Sequence, residues 1–298
     1  MTDDILAQFS DALAARAQAA APFVAAVRGK HGRHISAILW SGDLVVTSEQ
    51  SLSRRDGLEA VLPGGAVATA VVAGRDPSTN VALLRLPQSA TAPSHVSTEP
   101  KLGALALAYG ADGEGGVAVR QGVIREAGPA WSSSRGGLID RRITLDILLA
   151  AREEGGPVFD ARGGLIGMST FGPRGRVLVI PTETIARIVP QLARDGRVAR
   201  GWLGVKLQPV EVPESLKEAA GHSSALMAMS VAAGGPASAA GVLAGDIIVA
   251  IGEAPARRLR RVLAQLGPDS IGRILPLKVI RNGALHDLSL TVGARPPE

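Results

Sequence analysis

Cysteine is absent from this 298-residue chain, and with it go disulfides, thiol catalysis and cysteine-ligated metals. Its absence is neutral about compartment. Aromatic side chains are few, four Phe, three Trp and one Tyr, so little is offered on which single-stranded nucleic acid could stack. The formal charge is +5, but only Lys30, Lys101, Lys206, Lys217 and Lys278 are lysines. The arginines that make up the rest are scattered, whereas a duplex-binding protein gathers its cations on one stripe. Nucleic acid is therefore not the expected partner. No apolar run approaches the eighteen or so residues that span a bilayer, and one of the longest, 19–27, already holds Pro22. The first twenty residues carry Asp3, Asp4 and Asp11 against the single cation Arg16, which is not the pattern of a secretory leader. These absences lead to the expectation of a cytoplasmic protein with no membrane segment, no cofactor and no metal.

What the chain has in quantity is glycine (36) and proline (19), which favours many turns and short strands over long helices. Its length suits about two domains. Residues 1–20 place Ile5, Leu6, Phe9, Leu13 and Ala17 on one side of a helix, capped by Thr2, Asp3 or Asp4 and ended by Pro22. From about residue 33, strand-length runs bounded by Gly, Pro, Asp or Ser follow at 35–40, 43–48, 58–62, 66–72 and 81–86. A second series lies at 104–109, 117–125, 142–148, 165–171 and 176–180. Many short strands of this kind indicate an all-β sandwich or barrel, and the two series favour two barrels. A helix is expected over 182–196 with Ile185, Ile188, Val189 and Leu192 on its apolar face, kinked or cut short by Pro190. The organisation so read is an amphipathic helix over 1–21, a β domain over 22–196, a linker at 197–201 and a smaller α+β unit over 202–298. That last unit sets five strand-like runs around helices at 236–240 and 254–266.

The last unit carries the most specific pattern. Gly234, Gly235 and Pro236 open a short helix, and Gly245 with Asp246 turns the chain into a buried strand. With Val279 to Gly283, this region resembles the PDZ domain of bacterial proteases. Upstream, the segment from Gly74 through Asn80 to Leu84 resembles a protease family's catalytic-aspartate region. Leu145 and Asp146, followed by Gly155, Gly156 and Pro157, resemble its catalytic-serine region. Ile180–Pro181 and the run from Arg200 to Val205 are similar to that domain's end and the PDZ entrance. Together these identify a resemblance to the HtrA (DegP-like) family, which joins a chymotrypsin-like double β-barrel to a PDZ domain.

Carried over residue by residue, the resemblance puts Gln50 at the catalytic histidine, Asn80 at the aspartate and Glu154 at the serine. The intervals of 30 and 74 residues suit the family layout. A triad needs a hydroxyl nucleophile, an imidazole base and an orienting carboxylate. Gln50 cannot accept a proton, Asn80 is neutral, and Glu154 has no hydroxyl. Arg152 also replaces the glycine that helps shape the oxyanion hole. The resemblance thus implies a degenerate triad with no catalytic residue, and a pseudoprotease rather than an enzyme, serving as scaffold, adaptor or chaperone. The alternative is a serine-type endopeptidase with a non-standard active site, and a basic nucleic-acid-contacting protein ranks behind both. As in PDZ domains, Trp202, Leu203, Gly204 and Val205 would receive a peptide C-terminus on backbone amides, with the peptide added as a strand along 205–207. Trp202 packing the linker is the plainer reading of that residue. The family also implies a homotrimer, for which Ile5, Phe9 and Leu13 offer an apolar face.

Other clusters read more plainly. Glu153 and Glu154 beside Glu49 suit a solvated loop or a pair with Arg152 better than a cation site. His31 and His34 lack a third ligand. Ser132, Ser133 and Ser134 lack a base and suit a flexible loop. Arg257, Arg258, Arg260 and Arg261 suit the solvated side of a helix whose other side carries Leu259, Val262, Leu263 and Leu266.

Overall fold

The computed structural model describes residues 4–29, 33–52, 57–88 and 96–296. The chain divides into two compact units, Met1–Trp131 with Ile139–Val198, and Ser132–Leu138 with Ala199–Glu298.

The first unit opens with the helix Ile5–Ala20, capped by Asp4, whose carboxylate accepts the Leu6 amide at 3.0 Å. The other two expected caps, Thr2 and Asp3, lie outside the described residues. Leu13 and Ala17 pack on the core, and the Arg16 carbonyl accepts the Tyr109 hydroxyl at 3.3 Å. Beyond Pro22 runs a strand absent from the sequence reading, Val24–Arg28. Its apolar residues do not alternate with polar ones because both faces are buried. Ala25 and Val27 enter one cluster with Ala37, Leu39, Val45 and Leu84, while Val24 and Ala26 enter another with Ile38, Trp40, Val46 and Leu83. A period of two is thus written in which core each residue joins, and polarity does not reveal it.

Six strands close the first barrel: Val24–Arg28, His34–Ser41, Leu44–Ser48, Val81–Arg85, Val67–Asp76 and Leu58–Val61, each paired with the next and the last with the first. The second barrel closes Arg142–Leu145, Val177–Pro181, Leu165–Phe171, Pro157–Asp160, Leu105–Ala111 and Val117–Gly128 in the same manner. The expected fold class therefore holds: two closed antiparallel barrels of the chymotrypsin-like kind, then a smaller α+β unit. Helix Thr182–Asp195 follows the second barrel and buries Ile185, Ile188, Val189 and Leu192. Pro190 does not end it. Pro190 and Ala186 are both exposed, so the carbonyl that loses its donor faces water. Gly196 closes the helix in the left-handed conformation.

In the second unit the sheet runs in the order Val205–Glu211, Ser224–Val231, Ile247–Ile251, Ile274–Arg281 and Ala284–Thr291, so Val205–Glu211 is an edge strand. The helix expected over 254–266 is shorter, Leu259–Gln265, because Ala254–Pro255 folds back as a short strand on Ile247–Ile251. Asp246 is buried and accepts two N–H groups of Arg281, at 2.8 and 2.7 Å, and the Leu243 amide. This ties the turn before the strand Ile247–Ile251 to the end of its neighbour Ile274–Arg281.

Candidate functional site

The strand Leu44–Ser48 runs into a turn holding Glu49 to Leu52, and the hairpin between Val67–Asp76 and Val81–Arg85 ends at Asn80, whose φ is +61°. These first-barrel turns meet the loop Ala151–Glu153 and Glu154 of the second barrel. Gln50, Asn80 and Glu154 stand together there. The Gln50 side-chain amide donates to Glu154 Oε1 at 2.5 Å and to Thr170 Oγ1 at 3.0 Å, while the Gln50 backbone N–H donates to Asn80 Oδ1 at 2.7 Å. Asn80 Nδ2 donates to Thr170 Oγ1 at 2.7 Å and to Ser48 Oγ at 3.0 Å.

Glu154, 2% exposed, is the hub. Its carboxylate accepts from Ser48 Oγ at 2.9 Å, Thr170 Oγ1 at 2.6 Å, the Phe171 amide at 3.3 Å, Gln50, and Ser51 Oγ in a short contact. A buried charge survives only when its lone pairs are met in this way. Three hydroxyl partners escaped the sequence reading, although Ser48 and Ser51 flank Gln50 and only Thr170 is distant in sequence.

The loop is fixed from behind. Ser36 donates from its hydroxyl to the Arg152 carbonyl at 2.7 Å, and its amide donates to the Glu154 carbonyl at 3.0 Å. Gly155 has φ +93°, and a side chain there would stand 2.2 Å from the Ser36 carbonyl oxygen, so the glycine is obligatory. Glu153 corrects the expectation of a solvated loop or a pair with Arg152. It is buried, and Arg120 grips it with two N–H groups at 2.6 and 2.9 Å while the Ala150 amide adds a third bond at 2.8 Å. Burial pushes the Glu153 carboxyl up, but the Arg120 hydrogen bonds, the Ala150 amide and the charges of Arg120 and Arg152 together hold it below the usual range. Glu49 is buried too, 3.6 Å from Arg75.

The remaining candidates have structural places. His34 bonds the Ala111 carbonyl at 3.1 Å, and its expected companion His31 lies outside the described residues. Ser133 is engaged in a turn, its hydroxyl accepting the Arg135 and Gly137 amides. Arg260 donates to the Ser132 carbonyl at 3.1 Å. Arg257 precedes the shortened helix and donates to the Gly221 carbonyl at 3.4 Å.

In the second unit, Trp202 pairs with Gly293, and its ring is close enough that a side chain on Gly235 would meet it at 3.2 Å. Leu203 is buried. The Leu203 carbonyl accepts the Ala237 amide at 2.7 Å, and the Gly204 carbonyl accepts the Ala232 amide at 2.8 Å. In a trans peptide the carbonyl and the following N–H point opposite ways. The N–H groups of Gly204 and Val205 therefore face away from those partners. Gly204 makes this possible at φ +74°.

Residues 35–168 match the trypsin-like peptidase domain and residues 201–292 match the PDZ domain. The chain is 30% identical over 265 residues to a probable periplasmic serine endoprotease, DegP-like, of Brucella suis biovar 1 (strain 1330), covering 85% of this chain and 50% of that protein. It is 29% identical over 272 residues to the protein of the same name from Pseudomonas putida (strain W619), covering 88% and 56%. The chain thus spans about half the length of these curated relatives. Among solved structures it is similar to an HtrA-type protease, AlgW with decapeptide, at a TM-score of 0.71 and 26% identity, covering 95% of this chain and 99% of that one.

Two expectations are overturned by these matches. The reading of the chain as no enzyme yields to relatives named serine endoproteases at about 30% identity over most of its length. In physical terms, a hydroxyl stands beside a carboxylate at Ser51 and Glu154. The cytoplasmic placement yields as well, since the relatives are named periplasmic, and a pattern missing from twenty residues does not locate a protein.

Proposed function

We propose, from the trypsin-like peptidase and PDZ matches and the likeness to DegP-like and HtrA-type proteases, that the chain is an HtrA/DegP-like protein that handles polypeptides in the periplasm. The PDZ unit captures free C-termini through Trp202, Leu203, Gly204 and Val205. The observation that carries this reading is the pair of outward amides at Gly204 and Val205 beside the edge strand Val205–Glu211. Converging N–H groups hold a carboxylate, and the open edge receives the peptide as a strand. Affinity built on backbone bonds is modest, of order micromolar, about −8 kcal/mol. The test is titration with peptides of one sequence bearing a free or an amidated apolar terminus. Free termini should bind at least about fivefold more tightly, because amidation removes the charge that the amides hold. Equal binding removes the reading.

A second reading concerns the barrel cleft, where we place a serine-type endopeptidase centre of non-standard composition, with Gln50, Asn80 and Glu154 at the family's triad positions. The relatives' names support it, as does the Ser51 hydroxyl on the Glu154 carboxylate, a nucleophile beside a base. In that chemistry Ser51 Oγ adds to the peptide carbonyl and its proton passes to Glu154. Glu154 returns the proton to the leaving amine, and water then hydrolyses the ester. Casein turnover should be abolished by Ser51→Ala and by Glu154→Gln while peptide capture persists. Turnover unaffected by Ser51→Ala, or missing from the unmodified chain, removes this second activity.

Self-association as a trimer is the third element. On the first helix Ile5 and Leu6 are each 77% exposed and Phe9 is 46% exposed, and a second and third copy would cover them. Sedimentation at tens of micromolar should give a trimer that Phe9→Asp weakens. A monomer at that concentration overturns it.

A further inference from the structure

We propose that Pro209 sets the reading length of the peptide site, so that capture senses only about the last four residues of a C-terminal tail. This rests on the capture reading above. The hydrogen-bond phase of the edge strand is fixed by one bond. Val205 stands opposite Val231, and the Ala232 amide donates to the Gly204 carbonyl at 2.8 Å. A bond flanking an antiparallel pair in this way marks that pair as the non-hydrogen-bonded kind. The N–H and C=O of Val205 therefore turn to the open edge. Strand alternation then turns Lys206 inward, Leu207 outward, Gln208 inward and Pro209 outward. The ladder irregularity between Lys206 and Leu207 leaves Met229 as the extra residue on the partner strand, so the alternation of Val205–Glu211 is not reset.

The partner strand confirms the phase. Ala228, opposite Leu207, donates its amide to the Asp246 carbonyl at 2.8 Å and accepts the Gly245 amide at 2.8 Å. Its polar groups are turned to the other neighbour, as the phase requires of the residue facing Leu207. Farther along, the Val212 amide donates to the Ser223 carbonyl at 2.8 Å, which turns Val212 inward and, by alternation, Pro209 outward.

A peptide whose carboxylate rests on Gly204 and Val205 runs antiparallel to the edge strand. Its third residue from the end lies beside Leu207, which offers both an N–H and a C=O. Its fifth lies beside Pro209, which offers a carbonyl and no donor. The two-bond exchange made at Leu207 cannot be repeated, and the pyrrolidine ring occupies the place of the missing N–H. A proline in this place also protects the edge against pairing with another chain. The site is thus built for short tails of mixed upstream sequence, with recognition concentrated at the terminus.

The test uses the whole chain and a set of peptides sharing one apolar C-terminus, from three to eight residues long, in a fluorescence competition assay. Affinity should climb up to four residues and change by less than about twofold between five and eight. Pro209→Ala restores the donor and should make the eight-residue peptide bind about threefold or more tighter than the four-residue one, the worth of one added backbone hydrogen bond. Pro209→Thr repeats the restoration with a strand-favouring residue, and unchanged tripeptide affinity certifies the fold of either variant. Continued gain beyond five residues in the unmodified chain overturns the proposal. Flat length profiles in both variants, with tripeptide binding intact, overturn it as well. No capture at any length removes the capture reading itself and this inference with it.

Discussion

The barrel cleft and the PDZ loop are both polar constructions, and they differ in where their hydrogen bonds end. In the cleft five donors converge on the one buried carboxylate of Glu154, and each donor group belongs to the protein itself. In the loop the carbonyls of Leu203 and Gly204 are engaged within the domain, and the amides of Gly204 and Val205 face away from those partners. A closed network of buried groups contributes rigidity, whereas donors facing out of a fold are open to an acceptor from outside. The cleft can act on a ligand only by opening a bond it already makes, whereas the capture proposed at the loop requires no such opening.

The comparison would break first at Glu154. Glu154→Leu should strand Ser48, Gln50, Ser51 and Thr170 around an apolar group and cost about 3 kcal/mol or more in urea unfolding. A loss below about 1 kcal/mol would mean that the network does not hold the cleft. Next in size is Gly204→Val, where a β-branched residue is forced to φ +74° and its Cβ meets Pro236 at 3.3 Å. It should weaken capture at least tenfold, about 1.4 kcal/mol, while leaving barrel unfolding unchanged. Equal affinity would show that the loop's amides are not the receptor.

Acid sharpens the comparison with the smallest effect. Burial pushes the Asp246 carboxyl up, but the Arg281 hydrogen bonds, the Leu243 amide and the charges of Arg281 and His286 outweigh it and hold the carboxyl below its usual range, as at Glu153. A carboxylate depressed in the folded state stabilises above its unfolded pKa, and that contribution is lost as pH falls through the folded value. Stability should therefore decline below about pH 4, by on the order of 1 kcal/mol per group. Arg120→Gln should flatten the decline attributable to the barrel unit and Arg281→Gln that of the PDZ unit. A pH profile unchanged by both variants would detach these pairs from stability.

Much of the architecture was legible because Gly, Pro, Asp and Ser punctuate the strands, and the meeting of positions 50, 80 and 154 was implied by the family resemblance alone. What escaped has physical causes. Val24–Arg28 is buried on both faces, so no polar alternation announced it. Arg120 reaches Glu153 from a strand 33 residues away in sequence, a pairing that no local pattern encodes. Pro190 misled because propensity knows nothing of which helix face meets water. The hydroxyls around Glu154 were missed because Ser and Thr carry no positional signature, although the pair flanking Gln50 could have been suspected from adjacency alone.

The strand order of the barrels also imposes a schedule. All six strands of the first barrel lie between Val24 and Arg85, and the second barrel begins only at Leu105. During synthesis at about 5–20 residues per second, the first barrel has its full complement of pairing partners several seconds before Glu154 exists. Ser48, Gln50 and Ser51 are then on a finished rim, awaiting an acceptor that the ribosome has not yet made. Glu154 arrives ahead of the strands Pro157–Asp160, Leu165–Phe171 and Val177–Pro181 that complete the second barrel, and the network closes only when Thr170 and Phe171 follow. A nascent chain halted before residue 154 should therefore hold a closed first barrel whose Ser48, Gln50 and Ser51 side chains are still open to solvent.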